Sequence, residues 1–121
     1  MHVYRTTVTQ VGPQVPDFIA SGLLVLFAEG APEELHDFSV LHKPDPLARE
    51  VRPGDRVVLG DEGFAVTAIG DVANENLKSL GHAVFKANGN DAIELPGDIC
   101  IEHKQLPPVE VGMEIRIEGD D

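Results

Sequence analysis

Five histidines carry most of the chemical potential of this sequence, because imidazole combines a nucleophilic nitrogen, proton exchange near neutral pH and metal affinity. His2 lies at a terminus and His103 ends a strand-like run, so both read as solvent-exposed bystanders. His36 sits in the acidic segment "EELHDF" and reads as a charged surface residue. His42 and His82 differ. In "FSVLH" the period of two places Phe38, Val40 and His42 on one face, so His42 continues an apolar row to the rim of a hydrophobic patch. Pro44 and Pro46 then keep the following backbone from pairing as a central strand, which predicts an imidazole near an open end. His82 follows the predicted helix stop Gly81 and opens "HAVFKA", a junction where an imidazole can bond to backbone. Taken alone, these residues are accounted for as structural histidines.

Other chemistries find less support. A metal pair of His36 and His42, with Asp37 or Asp45 supplying oxygen, matches no recognised spacing. The chain has no Gly-rich phosphate loop ending in Lys-Ser or Lys-Thr, no paired cysteines, no HExxH and no GxSxG. No metal or cofactor is expected. Cys100 is the single cysteine, so no internal disulfide forms; its neighbours Asp98 and Glu102 would raise the thiol pKa, so it reads as structural.

The elements that must position the histidines are mostly strands. The stretches "VYRTTVTQVG", "LLVLFA" and "DFSVLH" are β-branched, continuous-apolar and alternating in turn. A hairpin is predicted from "RVVLG" through Asp61-Glu62-Gly63 to "FAVTAIG". Short strands follow at "HAVFKA", "AIEL", "DICIEH" and "MEIRIEG", separated by turn formers. One helix is predicted over about residues 72–80, with Asp71 as N-cap and Gly81 as stop, and a weaker helical turn at "APEEL" with Pro32 in its first position. Many short strands in a chain of 121 residues predict an all-β fold, a small closed barrel that removes sheet edges. Residues 1–121 read as one domain.

Composition narrows the partners. Nine Lys and Arg against 21 Asp and Glu give a formal net charge of -12, which disfavours nucleic acid and suits either solubility or basic protein partners. The longest apolar run, Leu23 to Ala28, is strand-sized, and "MHVYRTTVTQ" lacks the layout of a signal peptide. No membrane insertion and a cytoplasmic location are expected.

Several pieces of the chain together resemble a known family: "TTVTQVG", "EGAPEELHDFSVLH", "FAVTAIGDVANENLKSLGHAVFKANG", "ELPGDICIE" and "PPVEVGMEIRIE". In order and over nearly the whole length, they are similar to the glucitol/sorbitol-specific enzyme IIA component of the bacterial phosphoenolpyruvate-dependent sugar phosphotransferase system. The resemblance implies a phosphotransferase component that accepts a phosphoryl group from the histidine of HPr and passes it to a cysteine on the transporter's IIB domain, beside IIC. It places the phosphorylated histidine at His42, and implies a small closed β-barrel. Some members place a second histidine two residues further on, where this chain has Pro44. His82, as a supporting histidine, or Lys43 is then expected to help hold the phosphoryl group. The apolar rim of Phe38, Val40 and Leu41 is expected to dock partners. The competing reading is a non-catalytic acidic β-barrel that acts as a binding or regulatory adaptor.

Overall fold

Alternation in β1 (His2–Val11) puts Tyr4, Thr6 and Val8 inside the fold and leaves Arg5 and Thr7 exposed, the pattern of a strand with one face on a core. The computed structural model describes residues 1–120. After β1 come α1 (Val15–Ala20), β2 (Leu23–Ala28), a 3-10 turn (Glu33–Phe38), β3 (Val40–His42), β4 (Arg56–Leu59) and β5 (Glu62–Ile69). The helix α2 (Ala73–Leu80) then precedes β6 (Ala83–Lys86), β7 (Asp98–Ile101) and β8 (Glu114–Glu118). The strands close into a barrel in the order β1-β3-β2-β6-β7-β5-β4-β8. Closure leaves no free sheet edge.

The long strand β1 closes the circle. One half pairs with β8, from His2↔Glu118 to Thr7↔Glu114, and the other with β3, where Val8 faces His42. Most neighbours are antiparallel, but β2 with β3 and β6 with β7 run parallel. Each parallel pair needs a crossover; residues 29–39 supply the first and carry the chain directly into β3. Phe64 and Phe85 are fully buried with Leu24, Leu26, Ile99, Ile101, Ile115 and Ile117 around them.

The barrel and the helix over residues 73–80 agree with the sequence reading, and several details differ. Residues Glu33–Phe38 form a 3-10 turn, so Phe38 does not share a strand face with Val40 and His42. Pro32 caps that turn with an extended backbone rather than opening a helix. The "AIEL" stretch forms no strand; Leu95 and Asp98 instead close a turn through Leu95 N–H to Asp98 Oδ2 at 3.0 Å. The β4–β5 hairpin turns at Gly60-Asp61, with Glu62 already in β5 opposite Leu59. Val72, not Asp71, occupies the N-cap of α2. The helix α1 was not anticipated: its Pro16 near the first position and Asp17 in the first turn are start signals hidden inside a proline-bearing stretch.

Two polar clasps fix the long loop after β3 and the helix that follows it in space. Arg49 holds both carboxylate oxygens of Asp55 at 2.8 Å, and Arg52 N–H adds a bond at 2.9 Å. Burial alone would raise the Asp55 pKa, yet these bonds outweigh it and hold the carboxyl below its ordinary value. Asn74 on α2 then bonds the Val51 backbone in both directions, at 2.7 and 2.9 Å. The loop leaving β3 is thereby tied to the helix whose end meets β3.

Gly12 ends β1 where the chain crosses the 3-10 turn, and a Cβ there would lie 2.1 Å from the His36 carbonyl oxygen and 2.4 Å from that of Asp37. Both obstacles are backbone, so neither can swing aside. Gly12→Ala is expected to destabilise the fold by about 1–3 kcal/mol or more, read as a lower midpoint in urea unfolding with unchanged slope.

Candidate functional site

Three separate segments meet at His42. It ends β3, opposite Val8 of β1 and beside Ala28 of β2, so the strand is interior to the barrel rather than an edge. The expected open end is not found: the ring is fully buried, and Val40 and Leu41 before it are buried as well. Pro44 does stop the strand, but Thr6 of β1 and the end of α2 close over the imidazole. The edge of the Tyr4 ring approaches it at 6.1 Å between centroids.

Both ring nitrogens are engaged. Nε2 lies 2.6 Å from the Gly81 carbonyl oxygen, and a carbonyl has no hydrogen to give, so Nε2 carries the N–H and donates. Nδ1 lies 2.8 Å from the Thr6 hydroxyl, which also reaches the Lys43 carbonyl oxygen. Burial lowers the His42 pKa, against the opposing pull of the backbone bonds at Gly81 and Lys43 and the charge of Glu29. At neutral pH the ring is therefore neutral, with its proton on Nε2 and its lone pair on Nδ1.

Gly81 reaches the ring because α2 ends there in a left-handed turn with φ 58°, as helices that stop on glycine do. Its N–H bonds the Leu77 carbonyl oxygen at 3.1 Å, which leaves the Gly81 carbonyl turned toward β3. The space is glycine-sized: a Cβ there would lie 2.9 Å from Ala28 Cβ and 3.1 Å from His42 Nε2.

Two residues that neighbour His42, Thr6 and Ala28, each line a surface depression. Thr6 lines a surface depression of about 250 Å³ with Arg5, Thr7, Lys43, Pro44 and Asp45. Ala28 lines a second depression of about 250 Å³ with Phe27, Glu29, Pro32 and Leu80. The first holds two cations, one carboxylate and two hydroxyls, with Arg5 paired to Glu114; the second is largely apolar, with Leu80 52% exposed at its rim. Leu80 and Phe27 thus stand where Val40 and Leu41 were expected to form a rim. Phe38 stacks on Phe18 at 5.9 Å instead.

His82 does not touch His42. Its ring stacks on Phe27 at 4.0 Å and 14°, and Nδ1 donates to the Leu26 carbonyl oxygen at 3.0 Å. The ring is half-buried, and its Nε2 has no partner among the described residues. The two histidines are linked only through the backbone of residue 81, so what fixes the His42 tautomer is the Gly81 carbonyl. His36 donates through Nε2 to the Ala31 carbonyl oxygen at 2.8 Å and braces the crossover. His2 and His103 are exposed. Cys100 is buried, and burial pushes its thiol pKa up. Among the described residues no group of His, Cys, Asp and Glu could hold a metal ion.

Comparison with known proteins decides the family. Residues 3–116 match the family model described as the PTS system glucitol/sorbitol-specific IIA component. The chain belongs to that family. The glucitol/sorbitol-specific EIIA components of Shigella flexneri and of Escherichia coli strain K12 are each 34% identical to it over 99 residues, which is 82% of this chain and 80% of theirs. The crystal structure of a PTS system IIA component from Enterococcus faecalis V583 superposes with a TM-score of 0.82 at 24% identity, covering 95% of this chain and 99% of that one; that likeness concerns the fold. As a IIA component the protein has a phosphocarrier role and works with other components of that system. No helix among the described residues is long and apolar enough to cross a membrane.

The buried neutral ring has a measurable consequence. Above the ordinary histidine value of 6.5 the ring is neutral in both folded and unfolded chains and stability is flat. As pH falls through that value the unfolded chain takes a proton that the folded ring resists, so stability declines, by up to about 1.4 kcal/mol per pH unit. Urea unfolding between about pH 7 and 5 should show this slope, and His42→Gln should flatten it. Gly81→Ala should cost about 1–2 kcal/mol for the left-handed backbone alone and should broaden or shift the His42 ring signals in NMR.

Proposed function

We propose that the whole chain acts as one cytoplasmic carrier domain that takes a phosphoryl group from phospho-HPr on His42 and gives it to the IIB domain of a glucitol/sorbitol transporter. One observation supports this above the others: His42 is held neutral, with one nitrogen committed as donor and one lone pair left on the ring. That is the protonation state a histidine nucleophile needs. In the transfer, the ring's lone pair forms a new N–P bond in line as the donor's N–P bond breaks. The donor imidazole recovers its electron pair, and the other nitrogen of His42 keeps a proton.

Burial requires that the cover open during transfer. Local opening of a single side chain or helix end lies within the ordinary range of native-state fluctuation; Thr6, which bonds the ring, lines the first depression, and Ala28, paired with His42 in the sheet, lines the second. Lys43 lines the first, beside an Arg5 that is paired with Glu114, and suits the charge of a phosphoryl group; Leu80 and Phe27 line the second and suit an apolar contact with a partner. An acidic carrier of net charge -12 also steers toward basic partner surfaces. His82 is proposed as a supporting histidine, since its ring borders Phe27 and its Nε2 is free to accept or donate a bond when a partner docks.

The full burial of His42 also favours a second reading, in which the ring is purely structural and the barrel is an adaptor without chemistry. Incubation with phosphoenolpyruvate, enzyme I and HPr separates the two. The chain is expected to acquire an acid-labile, base-stable phosphate, His42→Ala to abolish it with the barrel's circular dichroism retained, and His82→Ala to slow labelling without abolishing it. Label persisting in folded His42→Ala would move the acceptor elsewhere, first to His82. No label on the wild-type chain would favour the adaptor.

A further inference from the structure

The Thr6 hydroxyl has one hydrogen and stands between two groups that can receive it. One is His42 Nδ1 at 2.8 Å and the other is the carbonyl oxygen of Lys43. Because Nε2 must donate to Gly81, two self-consistent networks exist. In the neutral ring the hydroxyl gives its hydrogen to the Nδ1 lone pair. When Nδ1 carries a proton, its N–H donates to Thr6 Oγ1, and the hydroxyl turns its hydrogen to the Lys43 carbonyl. No other described side chain bonds to Nδ1. Thr6 itself is 5% exposed, so water is a poor substitute. Of the titratable groups nearby, Tyr4 on β1 meets the ring with its edge and Glu29 after β2 acts on it through its charge; Lys43 and Asp45 line the depression outside Thr6, and His82 lies beyond Gly81; none bonds Nδ1.

We propose that Thr6 is a positioning residue of this site, a two-way hydrogen-bond partner that keeps Nδ1 satisfied in each protonation state the buried ring must pass through. The inference rests on His42 as the phosphoryl acceptor. Attack through Nδ1 needs the hydroxyl to swing toward Lys43 and clear the lone pair. The N–P bond then forms at Nδ1 as the donor's breaks, and Nε2 keeps its proton on the Gly81 carbonyl oxygen. A hydroxyl serves both directions, whereas a methyl of the same size serves neither and leaves a buried nitrogen unpaired.

The test uses the full chain with three substitutions in a buried strand position: Thr6→Ser, Thr6→Cys and Thr6→Val. Two readouts are followed, the rate of phosphoryl acceptance from phospho-HPr and the 15N-detected titration and tautomer pattern of the His42 ring. Serine is expected to stay close to wild type, and valine to slow acceptance by about tenfold or more and lower the His42 pKa further, since the protonated Nδ1 then lacks an acceptor. Cysteine, a weaker donor and acceptor, is expected to fall between. Valine matching wild type in rate, or an unchanged titration in the valine variant, would overturn the proposal. Failure of the acceptor reading looks different: phosphate would then remain on folded His42→Ala, while the ring titration would still report on Thr6.

Discussion

A buried imidazole imposes a strict condition: both of its nitrogens must find partners, because an unpaired polar atom away from water costs more than most single contacts contribute. The architecture around His42 meets that condition with one rigid partner and one adaptable one. The Gly81 carbonyl is fixed by the end of a helix and demands a hydrogen from Nε2. The Thr6 hydroxyl can give or receive. Their difference in kind sets the tautomer at rest and gives Nδ1 a partner whether or not it carries a proton.

Meeting it takes three segments far apart in the chain. β1 brings Thr6, the β3 end brings His42, and α2 brings Gly81, and only barrel closure through β1 places them together. The Asn74 clasp on Val51 and the Arg49–Asp55 pair hold the loop between β3 and β4 so that helix and strand keep their spacing. Glycine at position 81 serves this geometry twice, by allowing the left-handed stop and by leaving room for Ala28 and the ring. The barrel is thus less a container than a jig for one side chain.

On the proposed reading the carried group must arrive at and leave a sealed ring, and burial has a chemical use there. It keeps the imidazole neutral across the physiological range and excludes water, which would otherwise compete for a labile phosphoryl group. Access then becomes a matter of local opening under a docked partner. The depression beside Thr6 is polar and of mixed charge, and the one beside Ala28 is largely apolar.

Much of this was legible in the residues. Alternation and turn formers predicted the strands and their closure, Gly81 announced the end of α2, and the family-specific segments pointed to His42. Local pattern failed where tertiary contacts ruled. The "AIEL" stretch has strand composition but lies in a crossover closed by Asp98, and Phe38 has strand periodicity but sits in a 3-10 turn packed on Phe18. His42 looked exposed because prolines follow it, yet exposure is a property of what packs on top, and Thr6 and Gly81 lie 36 and 39 residues away in sequence. Side-chain periodicity along a chain determines which residues face inward from their own strand. It carries no information about which distant hydroxyl or carbonyl will meet them, since that follows from strand order and register, and those are settled only when the barrel closes.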